Sequence, residues 1–175
     1  MFGLVCAVQG EVNGQGLQNQ NQIQAGDYET EIGEQFQIQE RENNRVRLKT
    51  NNVTADCDCE LEQEQVQNRT RLKMKLSNGK YSEIKIMPDT ASETALARLR
   101  LKVCSAENNC TIQLKEVGLS NATKQSAYEI QAQRHFRVLG LFQTKAQVKA
   151  QIDAETGEII QVKKPWWSFL ATEQE

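Results

Sequence analysis

The chain has 175 residues, a formal net charge of −2, 38% hydrophobic residues and a mean hydropathy of −0.63. That length suits one domain or two small ones. The balanced charge argues against a nucleic-acid partner, which calls for an unbalanced basic patch, and no apolar run is long enough to form a transmembrane segment.

The first ten residues, Met1 to Gly10, look like the end of a signal-peptide apolar region with its cleavage zone but without a basic leader, and are read as a signal-peptide remnant. A lipid-anchored Cys6 is the weaker alternative, because Val5 is a poor residue before such a cysteine. Leu17 to Gln24 then alternates through Gln and Asn. Such a run is either a solvated sheet face or a Gln-biased flexible arm, and composition leaves both open.

From Arg45 to Lys75 the charge has a period of two. Arg45, Arg47 and Lys49 are followed by Asp56, Asp58, Glu60, Glu62 and Glu64, then by Arg69, Arg71, Lys73 and Lys75. Between them lie Val46, Leu48, Cys57, Cys59, Leu61, Val66, Leu72 and Met74. Successive side chains of a strand point to opposite faces, so each block reads as a strand with one charged and one apolar face. A turn at Asn51-Asn52 sets Arg47 opposite Asp56, Arg45 opposite Asp58 and Val46 opposite Cys57. A turn at Gln67-Asn68 sets Glu64 opposite Arg71, Glu62 opposite Lys73, Glu60 opposite Lys75 and Leu61 opposite Met74. Asn accepts the positive φ that such turns need. A third turn at Ser77-Asn78-Gly79 pairs Leu72 with Ile84 and Lys73 with Glu83. The carboxylate block is either a cation platform or one rung set of a paired ladder. The ladder is the reading taken, because the neighbouring strands already supply cations.

At Pro88 the rhythm changes. Thr90-Ala91-Ser92-Glu93 has the form of a capping box, predicting a helix to about Val103 with Ala95, Leu96, Leu99 and Val103 on its apolar stripe. Strands follow at 111–117, 128–138 and 146–152. A turn near Gly140 pairs Ala132 with Val148 and Ile130 with Ala150, and Asp153 to Gly157 turns into Ile159, Ile160 and Val162. The apolar ending Pro165-Trp166-Trp167-Ser168-Phe169-Leu170 either docks on its own sheet or contacts a partner or membrane surface. The predicted fold is α+β and mostly antiparallel: an N-terminal β-meander (11–88), then one helix and a further antiparallel sheet (89–175).

Four Asn-x-Thr triplets, at Asn52, Asn68, Asn109 and Asn121, fall at predicted turns or strand starts where a glycan would reach solvent. With Cys6 set aside, Cys57, Cys59, Cys104 and Cys110 remain, an even number consistent with disulfides in an exported chain. Cys104 and Cys110 bracket a short turn and are the expected bridge. Cys57 and Cys59 share one strand face, where pairing with each other would distort the strand. A four-thiolate metal site is disfavoured by the absence of Cys-x-x-Cys spacing. His135, the only histidine, is expected on a polar face beside Lys145. No phosphate loop, metal motif or nucleophile–base pair is legible, so no catalytic residue, cofactor or metal is assigned.

The order helix, strand, strand, followed by Ile152-Asp153-Ala154-Glu155-Thr156-Gly157-Glu158-Ile159-Ile160, resembles the PepSY-type module over roughly Asp89 to Lys164. Residues 84–101, the Cys104–Cys110 segment and Lys163-Lys164-Pro165-Trp166-Trp167 also look like a family of exported archaeal proteins without an assigned activity. The first resemblance implies an extracytoplasmic binding or inhibitory module, sometimes within peptidase propeptides. No peptidase follows here, and no catalytic residue carries over. The expectation is an exported or cell-surface, non-enzymatic structural or interaction protein. It would engage a protein partner or a second copy through strand edges, above all the Gln/Asn-rich segment before Asp27. The alternative is a PepSY-like module that binds or inhibits an exported peptidase or other enzyme.

Overall fold

The structure, a computed structural model, describes residues 23–41, 45–102, 104, 109–118 and 123–173. The signal-like start, Cys6, the run from Leu17 to Gln22 and Asn121 lie outside these residues. The described chain is mostly antiparallel β with one helix.

The elements in chain order are β1 (Gly26–Glu29), β2 (Gln35–Glu40), β3 (Val46–Thr50), β4 (Val53–Cys57), β5 (Leu61–Val66), β6 (Arg69–Lys75), β7 (Tyr81–Ile84), α1 (Pro88–Leu99), β8 (Thr111–Val117), β9 (Gln125–Val138), β10 (Phe142–Asp153), β11 (Ile159–Lys163), a 3-10 turn (Trp166–Leu170) and β12 (Ala171–Glu173). Nine strands form one sheet in the order β1-β2-β3-β4-β8-β9-β10-β11, with β12 added beside β9, and β5-β6-β7 form a second sheet. Long β9 makes this possible: β8 occupies one of its sides along Gln125–Gln131, and β12 occupies Phe136–Val138.

The meander's registers are those the charge code requires. Arg47 lies opposite Asp56 and Val46 opposite Cys57, while Glu62 faces Lys73, Glu64 faces Arg71 and Leu72 faces Ile84. The turns work as their residues allow, with positive φ at Asn51 (52°), Gln67 (51°), Asn68 (65°) and Gly79 (79°).

The acidic block, however, is not one strand. β4 ends at Cys57 in the large sheet, and β5 starts at Leu61 in the small one. The chain turns a corner over 58–60. Cys57 and Cys59 pair with each other there, their Cα atoms 5.3 Å apart. The expected distortion does not arise, because Cys59 has already left the strand. Beyond the corner, β4 runs parallel to β8, with Asp56 opposite Gln113 and Cys57 opposite Leu114. Strands from both sides of Pro88 therefore share one sheet and one core.

One face of the large sheet builds that core: Ile38, Leu48, Ala55, Leu114, Tyr128, Ile130, Phe136, Val148 and Ile152 all lie within it. Each such side chain, fully buried, contributes about 1.5–3 kcal/mol. α1 packs on this face against β3, β4, β9 and β10 through Ala91, Ala95 and Leu99. The helix begins two residues before the expected capping box. Met87 is the N-cap and makes no side-chain cap bond, while Pro88 occupies the first turn, where its fixed φ and missing N–H cost nothing. It also stops short of Val103, because Arg100 turns left-handed (φ 54°). Buried Arg134 donates to the freed Leu99 carbonyl (2.6 Å) and lies over the Phe136 ring.

The small sheet closes on the same side. Ser82 and Ser126 share a buried hydrogen bond (2.7 Å), the Ile86 carbonyl accepts from the Tyr128 hydroxyl (2.9 Å), and the Ala154 carbonyl accepts from the Lys85 and Ile86 amides. Burial pushes the Tyr128 hydroxyl well above its usual pKa.

Candidate functional site

The charge ladder is the first feature to test for chemistry. Arg47 Nε donates to Asp56 at 2.7 Å, and this hydrogen bond holds the Asp56 carboxylate below its usual range. Arg45 reaches Asp58 at 3.8 Å and Lys75 reaches Glu60 at 3.1 Å. Other rungs engage off the direct pairs. Lys73 bonds Glu64 (2.6 Å) rather than Glu62 directly opposite, Glu62 accepts from the Tyr81 hydroxyl, and Arg71 turns to Glu31 and Glu83. The side chains are long enough to bond diagonally. These carboxylates are matched by cations, and no cluster of three or more potential metal ligands occurs among the described residues.

The second feature is a carboxylate that periodicity did not reveal. Glu129 points to the face opposite the core yet is only 2% exposed. Lys115 from β8, Lys149 and Gln151 from β10, and Gln131 from β9 close over it at 2.6–3.0 Å. Burial works against its charge. The hydrogen bonds from Lys115, Gln151, Lys149 and Gln131 outweigh that and hold its pKa down to about 2. A carboxylate so far ionised has no proton to donate near neutrality, so Glu129 is a clasp between three strands rather than a general acid. The signal that could have found it is the meeting of Lys115, Glu129 and Lys149 on one face of adjacent strands, which requires knowing the strand order.

The third feature is a groove of about 630 Å³ between the β1–β2–β3 end of the large sheet and the β5–β6 turn. Tyr28 stacks on Phe36 within it (5.6 Å between ring centres). Its polar lining includes Asp27, Glu29, Gln37, Asn51, Gln65 and Asn68. Because consecutive residues Asp27, Tyr28 and Glu29 all contribute, the groove reaches the edge of β1. β1 is the last strand on this side, and its outer edge has no strand partner among the described residues. The amides and carboxylates can hydrogen-bond the side chains of an added strand.

The remaining expected residues are scattered. Cys104 and Cys110 lie within disulfide distance, Cα atoms 5.1 Å apart, beside the start of β8. Asn52, Asn68 and Asn109 are exposed, and they do not converge on one place. His135 is exposed opposite Lys145. The C-terminal aromatic segment does both things its sequence allowed. Trp167 packs edge-on against Phe136 (5.3 Å), while Trp166 and Phe169 face solvent. No helix among the described residues is long and apolar enough to cross a membrane.

Compared with protein-family models, with curated proteins and with solved structures, the chain finds no match.

Proposed function

We propose that the protein is an exported or cell-surface interaction protein without enzymatic activity, and that it takes up a partner chain or a second copy along the outer edge of β1. The observation that carries this is the open edge of β1 bordering an amide-lined groove. An added strand would satisfy the unpaired backbone groups, and alternate side chains would enter the groove. The Gln/Asn-rich run preceding β1 extends the same edge chemistry along the sequence. Two cysteine pairs at disulfide distance support an oxidising compartment. Removal of residues 11–22 leaves β1 and the rest of the described sheet in place. Sedimentation of the full and shortened chains then tests the reading: self-association or partner capture should weaken on removal. An intact protein that stays monomeric at high concentration and captures no partner would defeat it.

A PepSY-like inhibitory module is the second reading. The observation favouring it is the succession α1, β8, β9, β10, closed by a turn in which Asp153 accepts from the Glu155 and Thr156 amides. Inhibition of an exported peptidase by the purified chain, undiminished by loss of residues 11–22, would select this reading over edge pairing.

A further inference from the structure

The β9–β10 hairpin ends in Leu139-Gly140-Leu141, and the 3-10 turn is tied to it by the Leu139 amide donating to the Leu170 carbonyl (3.1 Å). Together they gather exposed apolar side chains at one end of the molecule: Leu141 (77% exposed), Phe142 (68%), Trp166 (81%) and Phe169 (74%), with Leu139 and Leu170 beside them. The charge around this tip is one-sided. No Asp or Glu occurs between Glu129 and Asp153, or between Glu158 and Glu173. Lys145, Lys163 and Lys164 are exposed and Arg137 is half-buried on the same elements, in a chain whose formal net charge is −2. We propose that this tip is a docking surface for an anionic lipid bilayer. Trp, Phe and Leu would enter the headgroup–acyl boundary while the lysines stay at the phosphate level. Pairing of two tips would instead bring their cations together. A bilayer supplies the apolar layer and the negative charge that this end of the molecule lacks.

The test uses the full chain with vesicles of phosphatidylcholine alone or of equimolar phosphatidylcholine and phosphatidylglycerol. The native protein should sediment with the anionic vesicles, shift its tryptophan emission to the blue, and lose this binding as salt rises. The double variant W166S/F169S should weaken binding at least about tenfold, and K163E/K164E by a similar factor on anionic vesicles only. Thermal melting of each variant checks the fold. Because Trp166 and Phe169 cover no core residue, their melting points should match the native one. Equal binding to both vesicle types, no binding to either, or undiminished binding by a folded W166S/F169S would overturn the proposal. Loss of self-association in W166S/F169S without any vesicle binding would likewise overturn it and assign the tip to a second copy. Deletion of residues 11–22 should leave vesicle binding unchanged, so failure here and failure of the edge-pairing reading can be told apart.

Discussion

Glu129 concentrates the molecule's most consequential electrostatics in one side chain. Its pKa in the fold, about 2, lies below the ordinary 4.5, so the folded state binds fewer protons than the unfolded chain in the intervening range. The stabilisation is therefore complete above about 4.5 and is lost as the pH falls toward 2. The shift corresponds to a few kcal/mol, on the order of 3. Glu129→Gln should destabilise the protein by about 2–4 kcal/mol near neutrality, since it leaves Lys115 and Lys149 covering a neutral amide. Urea unfolding across the acid range should show the native and variant stabilities converging at low pH. A constant gap between them would mean that the clasp acts through shape rather than charge.

At the scale of elements, the β3–β4 hairpin shows how a weak interaction fixes a register. Arg47 and Asp56 are partly exposed, so their pair contributes only about 0.2–1 kcal/mol. A one-residue slip, however, would turn Val46, Leu48 and Cys57 out of the core. Reversing either charge alone should destabilise more than reversing both together, and a double-mutant cycle by urea unfolding measures the coupling. Additive single effects would mean that Arg41, which also reaches Asp56 (3.4 Å), has taken over the contact. The helix makes a complementary point. Thr90-Ala91-Ser92-Glu93 has capping-box form, yet Pro88 starts the helix earlier, and the helix position is then set by the fit of Ala91, Ala95 and Leu99 on the sheet.

For the whole molecule, the two sheets and the helix share one buried cluster, and the cysteine pairs sit at its margins. Cys57–Cys59 stands at the corner between the sheets, and Cys104–Cys110 stands before β8. A non-reduced digest of the exported protein should give Cys104 and Cys110 in one bridged peptide. Reduction should cost at most about 3 kcal/mol, because the loop is short and restricts the unfolded chain little. Free thiols at both positions in protein recovered from outside the cell would refute the bridge.

Strand periodicity, turn chemistry and cross-strand charge are properties of neighbours in the chain. For that reason the alternation from Arg45 to Lys75 determined the hairpin registers without any knowledge of the rest. The same holds for the β9–β10 pairing of Ala132 with Val148. The open edge beside β1 was legible only in part, as a polar alternating run. The split of the acidic block between two sheets, the parallel meeting of β4 with β8, the burial of Glu129 and the joining of the Leu139–Leu141 turn to Trp166 and Phe169 were decided by the tertiary structure alone. Each depends on which distant strand arrives alongside. That choice is made by the apolar area the assembled core can remove from water, a quantity no local window of sequence contains.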